Sequence, residues 1–171
     1  MKIVLLGYMG CGKSTMAKLL AENLKLDVID LDAYIVEHEG MSISALFENK
    51  GEIYFRLQES KYLNEILGHE NDLILSLGGG TPCYADNMEV IKNRALSFYL
   101  KASIDTLCTR LRNEKDQRPL IASLKEDQLK EFVAKHLFER RNFYEQANST
   151  ITIDHKTIEE LLEEILQSLK A

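Results

Sequence analysis

The 171 residues predict an α/β domain in three layers: a five-stranded parallel sheet with helices on both faces. Three observations carry this expectation. Short apolar runs alternate with segments of helical periodicity along the whole chain. The runs are apolar at nearly every position, as strands covered on both faces must be. Six of the nine glycines fall in two clusters, Gly7/Gly10/Gly12 and Gly78/Gly79/Gly80, each directly after an apolar run. Strand, glycines, then helix is how such proteins bring backbone close to a ligand at the carboxyl end of a strand.

Ile3, Val4, Leu5 and Leu6 make the first buried strand, and residues 13–24 carry Met16, Leu19, Leu20 and Leu24 at helical spacing. Val28 and Ile29 give a short second strand, followed by a helix from about Ala33. Ser42 is placed as N-cap of the segment holding Ile43, Leu46 and Phe47. A longer helix covers residues 53–67, with Phe55, Leu63, Ile66 and Leu67 as its apolar stripe. A strand over 73–77, a helix over 86–93, a strand over 96–100 and a helix over 103–112 follow. The polar stretch 113–118 leads to Pro119. A helix over 129–145, a strand over 150–153 and an amphipathic helix over 158–169 complete the chain. Glu159, Glu160, Glu163 and Glu164 form that last helix's wet face. With no repeat, linker or low-complexity segment, residues 1–171 read as one domain.

Composition narrows the function. Hydrophobic residues at 45% suffice for a core, and no apolar run is long enough to span a bilayer. A net charge of −6 argues against nucleic acid or an anionic membrane as the main partner. Cys11, Cys83 and Cys108 are odd in number and lack metal spacing, which speaks against a disulfide framework or a zinc site. The apolar run after Met1 stops at Gly7, short of a secretory h-region, so a cytoplasmic location is expected. His38, His69, His136 and His155 show no metal spacing, and Tyr54, Phe55, Tyr62, Phe98 and Tyr99 read as core.

Gly7-Tyr8-Met9-Gly10-Cys11-Gly12-Lys13-Ser14 satisfies the phosphate-binding pattern G-x-x-x-x-G-K-[ST], with a strand before it and a helix after it. The glycines let successive N–H groups turn inward onto phosphate oxygens, and the helix adds its positive end. Lys13 supplies charge for the outer phosphates, and the Ser14 hydroxyl can ligate Mg²⁺; Cys11 serves as a small filler. Asp30 and Asp32, alternating on an extended segment, can look into one crevice, or Asp32 can simply cap the next helix. Gly78, Gly79 and Gly80 strip every side chain from the end of a strand. Ser76 and Leu77 stand where a magnesium-binding aspartate often ends such a strand, which strengthens the case for Asp30. Among the arginines, Arg56, Arg112, Arg118, Arg140 and Arg141 are candidates for planar capture of carboxylate or phosphate. Arg118 beside Pro119, on a polar loop, has the form of a lid.

Together these motifs resemble the shikimate kinase family over nearly the whole chain. The resemblance rests on the P-loop at 7–15, the D-x-D at Asp30 and Asp32, and a block from Ile43 through Phe47 and Gly51-Glu52 to Phe55-Arg56 and Glu59. It continues in the glycine triplet, in Arg118-Pro119-Leu120, and in Arg140 before Asn142-Phe143-Tyr144-Glu145. Asn142 stands where the family has proline, so Arg140 and Arg141 are both candidates for the late arginine. The resemblance implies a P-loop fold like that of nucleoside-monophosphate kinases, a substrate-binding helical region near 33–60 and a lid near 112–124. It implies a monomeric enzyme using ATP with Mg²⁺ to phosphorylate the 3-hydroxyl of shikimate on the way to aromatic amino acids. By matching positions, Gly10, Cys11, Gly12, Lys13, Ser14 and Thr15 would cradle the nucleotide, Ser14 and Asp30 would serve the metal, and Arg112 would stack on adenine. Asp32 would hold the ring hydroxyls, Gly78, Gly79 and Gly80 would meet substrate through backbone, and Arg56 and Arg140 would clamp its carboxylate. Arg118 would stabilise the moving phosphoryl group, with Lys13 and Asp32 completing the catalytic set. A gluconate-type kinase shares the P-loop but not the D-x-D, Phe-Arg and triple-glycine set. A GTPase-like switch would need N-K-x-D, whereas Asn113-Glu114-Lys115-Asp116 has its lysine one place late.

Overall fold

The computed structural model describes residues 1–118 and 120–171; Pro119, the centre of the lid motif, lies outside the described residues. The elements run β1 (Lys2–Leu6), α1 (Lys13–Leu24), β2 (Asp27–Asp30), α2 (Leu31–Glu39), α3 (Ile43–Gly68), β3 (Leu73–Ser76) and α4 (Asn87–Arg94). They continue with β4 (Leu96–Lys101), α5 (Ile104–Asn113), α6 (Glu126–Tyr144), β5 (Ser149–Thr152) and α7 (Ile158–Ser168). The strands form one parallel sheet in the order β2-β3-β1-β4-β5. Ile3, Val4, Leu5 and Leu6 are all fully buried, and β3 is buried at every position, so both faces of the sheet are covered. Leu5 of β1 and Asp30 of β2 both pair with Ser76 of β3. The carboxyl ends of three neighbouring strands therefore finish level, and the loops that leave them share one edge.

Local chemistry sets the boundaries. The helix expected from Ala33 begins earlier, at Leu31, because Asp30 rather than Asp32 is its N-cap: the Asp30 carboxylate accepts from Ala33 N at 3.1 Å. Asp30 and Asp32 thus do not share an extended segment. One ends a strand, and the other sits in the first turn of a helix, where the helix dipole favours a negative charge. Ser42 caps α3 as expected, accepting from Ala45 N at 3.1 Å. The two helices expected over 43–47 and 53–67 are two arms of α3, joined at Gly51. Two single-turn 3₁₀ helices, Thr81–Cys83 and Lys115–Gln117, have no counterpart in the sequence reading, since such short turns leave no periodicity. Ile121 is fully buried, so the expected lid region is anchored to the body at that point. Among the described residues no helix is long and apolar enough to cross a membrane.

Gly51 combines φ 85° with ψ 167°, a region essentially closed to residues with a Cβ. Nothing lies within 4 Å of where that Cβ would go, so its requirement is one of conformation and not of space. Gly51→Ala and Gly51→Asn should each lose about 1–3 kcal/mol in urea unfolding. Gly40, at φ 68° and ψ 19°, is in the ordinary left-handed region that asparagine tolerates, so Gly40→Asn should lose less. Equal losses for asparagine at the two positions would refute this conformational account.

Candidate active site

A cavity of about 370 Å³ opens at the shared edge. Its walls include Gly10, Gly12, Lys13, Ser14 and Thr15 from the P-loop, Asp30 and Asp32 from the end of β2 and start of α2, Gly78 and Gly79 after β3, and Arg118. Gly10 and Gly12 have φ of 84° and 95°, which lets the loop curl inward. The Lys13 side chain is nearly buried and donates to Gly7 O at 2.8 Å and Tyr8 O at 3.0 Å, fixing its ammonium at the inner rim. Cys11 does not face the cavity: it is buried beneath the loop, where its thiol packs against Gly7.

The two aspartates differ in their environments. Asp30 is satisfied, accepting from Ser14 Oγ at 3.0 Å through one oxygen and from Ala33 N through the other. Asp32 has no such donors among the described residues. Burial, then the neighbouring Asp30 and Glu59 carboxylates, push its pKa up to about 6, against the opposing pull of Lys13 and Arg56.

Beside Asp32, the glycine triplet explains the placement of the arginines. A methyl group on Gly80 would fall 2.5 Å from Arg56 Nη2, one on Gly79 would lie 3.2 Å from Arg140 Nη1, and one on Gly78 would lie 3.1 Å from Asp32 Oδ1. Each absent side chain leaves room for one charged group. Arg56 is held by Glu59, donating from Nη1 to Oε1 at 2.8 Å, and Thr81 Oγ1 donates to the other oxygen at 2.6 Å. The Tyr144 hydroxyl donates to Gly79 O at 2.5 Å, tying the triplet to α6 one turn beyond Arg140. Arg140 also lies 5.8 Å from the centre of the Tyr8 ring, whereas Arg141 is exposed. Of the two late arginines, only Arg140 meets the triplet.

Arg118 enters the cavity paired with Glu114, its Nε and Nη2 both 2.8 Å from Oε2. Arg112 does not reach the cavity. It turns outward to Glu126 at 2.6 Å, and Arg110 takes the inward position instead, donating to Gly10 O at 3.3 Å. Residues two apart on a helix point to nearly opposite sides, so both arginines cannot face the loop. Sequence reasoning also gave no role to Glu59, Thr81, Glu114 or Tyr144. The three-residue spacing of Arg56 and Glu59 on one helix was the available signal for the first.

The arrangement can hold a phosphate chain, a carboxylate and a hydroxyl within one cleft. Comparisons with known proteins give the family. Residues 9–170 match the family model for shikimate kinase. A curated shikimate kinase from Flavobacterium johnsoniae is 48% identical over 169 residues, covering 98% of each chain. The crystal structure of shikimate kinase from Bacteroides thetaiotaomicron superimposes with a TM-score of 0.92 at 36% identity, covering 99% of this chain and 98% of that one. Shikimate kinase from Acinetobacter baumannii, solved in complex with shikimate, gives 0.88 at 32% identity, covering 99% and 92%.

The raised pKa of Asp32 has a consequence for stability. Between its ordinary value of 3.8 and about 6, the unfolded chain releases a proton that the folded chain keeps, so this group lowers stability as pH rises through that window. Asp32→Asn should therefore stabilise the fold by about 1–3 kcal/mol above pH 7 and by little near pH 4. Urea unfolding of both proteins at the two pH values measures this. A gain independent of pH would show that Asp32 is not the strained charge.

Proposed function

The chain belongs to the shikimate kinase family, and we propose accordingly that its cleft transfers the γ-phosphoryl group of ATP to the 3-hydroxyl of shikimate, giving shikimate 3-phosphate and ADP. The observation that carries this reading is the glycine triplet, with two guanidinium groups and a carboxylate packed against its backbone beside a P-loop. A planar carboxylate suits the forks of Arg56 and Arg140, and ring hydroxyls suit an Asp32 carboxylate with free acceptor positions.

In this reading the P-loop amides and the Lys13 ammonium receive the phosphates, with Arg110 in place of Arg112 on the nucleotide side of the cleft. Ser14 Oγ and Asp30 Oδ2 are hard oxygen donors 3.0 Å apart, the kind that Mg²⁺ accepts. Among the described residues no group of three His, Cys, Asp or Glu side chains stands together as a protein-only metal cage. Bound with the nucleotide, Mg²⁺ would neutralise charge on the phosphates, and Ser14 and Asp30 would hold it. Asp32 orients the attacking hydroxyl, because a loose phosphoryl transition state needs alignment more than early deprotonation. Arg118 leaves Glu114 for the phosphoryl group once a stronger anion competes for it, and the segment around it shields the reaction from water. All these residues come from one chain, so a monomer suffices, and free Cys11, Cys83 and Cys108 suit a reducing cytoplasm.

ADP release should depend on shikimate and stay at background with gluconate, AMP or no acceptor. Release indifferent to shikimate would refute the assignment. Arg56→Lys keeps the charge but loses the fork, so kcat/KM for shikimate should fall roughly ten- to a hundredfold while KM for ATP holds. Equal use of shikimate and its methyl ester would rule out the clamp.

A further inference from the structure

Asp32 and Glu39 stand about two turns apart on α2 and so lie along one face of that helix. Asp32 faces the cleft, and Glu39 is turned into the contact with α3, its side chain 8% exposed. Two hydroxyls converge on it: Tyr54 donates to Oε2 and Tyr62 to Oε1, each at 2.8 Å. Lys50 Nζ lies 3.8 Å from Oε2, donates to the Tyr54 hydroxyl at 3.3 Å and sits 4.5 Å from the centre of the Tyr54 ring. A second tie runs from the Tyr34 hydroxyl to Glu65 at 2.8 Å, with Tyr34 edge-on to Tyr62.

Lys50 ends the first arm of α3, before the break at Gly51, whereas Tyr54 and Tyr62 belong to the second. Glu39 therefore grips both arms. Arg56 and Glu59 lie on the second arm, between the two tyrosines. Packing of apolar side chains alone would hold two helices together without the cost of taking a carboxylate out of water. Directional bonds to both carboxylate oxygens add something packing does not, a fixed rotation and depth for the arm they hold. These hydroxyls keep the Glu39 carboxyl below its ordinary pKa in spite of burial.

We propose that Glu39 is a positioning residue for acceptor recognition: with Tyr54 and Tyr62 it sets the arm carrying Arg56 and Glu59 against the helix carrying Asp32, across the break at Gly51. The proposal rests on the reading of the cleft as a shikimate site. Displacing the Arg56 fork by a fraction of an ångström spoils paired hydrogen bonds to a carboxylate. The P-loop lies between β1 and α1, and its hydrogen bond to α2 is at the Asp30 cap, more than two turns from Glu39.

The test measures kcat and both KM values for Glu39→Gln, Tyr54→Phe and Tyr62→Phe, each alone and combined with Arg56→Lys. Each single variant should raise KM for shikimate about three- to tenfold, the size of coupling usual between residues of one network. KM for ATP should stay within about twofold, and the rise should shrink below about twofold when Arg56→Lys has already removed the fork. An unchanged KM for shikimate, an equal rise for ATP, or an undiminished effect beside Arg56→Lys would overturn the proposal. Each tyrosine variant leaves Glu39 one hydroxyl partner, so a Glu39→Gln protein that fails to fold does not decide the question. Absence of shikimate-dependent turnover in the unsubstituted enzyme would overturn the functional reading and this proposal together; normal turnover with flat KM values would overturn the proposal alone.

Discussion

Charged groups reach the end of β3 from three different helices and pack against residues 78–80, which carry no side chains. Asp32 comes from α2, Arg56 from α3 and Arg140 from α6, and each lies where a methyl group would crowd or exclude it. Crowding is tightest at Gly80, where any Cβ would fall within 2.5–2.8 Å of the Arg56 guanidinium. Other features follow from that crowding. Arg56, drawn close to the backbone, needs a buried counter-charge, which Glu59 provides, and Glu59 in turn needs the Thr81 hydroxyl for its second oxygen. Gly79 O, exposed by the same bareness, takes the Tyr144 hydroxyl.

The same cleft shows how one residue type acquires two behaviours. Asp30 is anchored by a serine hydroxyl and a backbone amide, whereas Asp32, close by in the chain, is half-buried near other carboxylates. The first is held in place through both of its oxygens. The second is poised to change its protonation near neutrality, as pairs of carboxylates in unlike surroundings do in many active sites. Positive charge is distributed in a similar way, with Lys13 held by carbonyls and Arg118 held by the replaceable Glu114.

Features set by local pattern were legible in the sequence. The parallel sheet, the P-loop between strand and helix, and the Ser42 cap depend on short-range spacing, and the structure has them where that spacing puts them. The cap of α2 was misplaced by two residues because two aspartates in alternation offer the same chemistry, and only backbone geometry selects Asp30. Arg112 was named because it flanks the polar stretch, and Arg110 went unconsidered, yet the rotational phase of α5 decides which arginine faces inward, and that phase is set by Leu107, Cys108 and Leu111 packing on the body. Glu39 and Tyr62 carried no motif at all, and Tyr144 stood in one without a role. Their partners are far away in sequence or on another helix, and a hydroxyl bound to a buried carboxylate looks, in one dimension, like any core aromatic residue.

Chain order and sheet order run against each other in this molecule. β1 lies at the centre of the sheet, but its neighbours are β3 and β4, so Leu5 must wait for Ser76 on one side and Phe98 on the other. During synthesis the phosphate-binding loop thus exists as a stretch of polypeptide long before it exists as a shape. The strand made next, β2, cannot help, since it pairs only with β3. Closing such long loops costs entropy that nothing repays until both flanking strands are present. A nascent chain halted before β4 would display every residue of the nucleotide motif with half of its supporting sheet missing. A strand made before its neighbours therefore acquires its setting only when those later strands arrive.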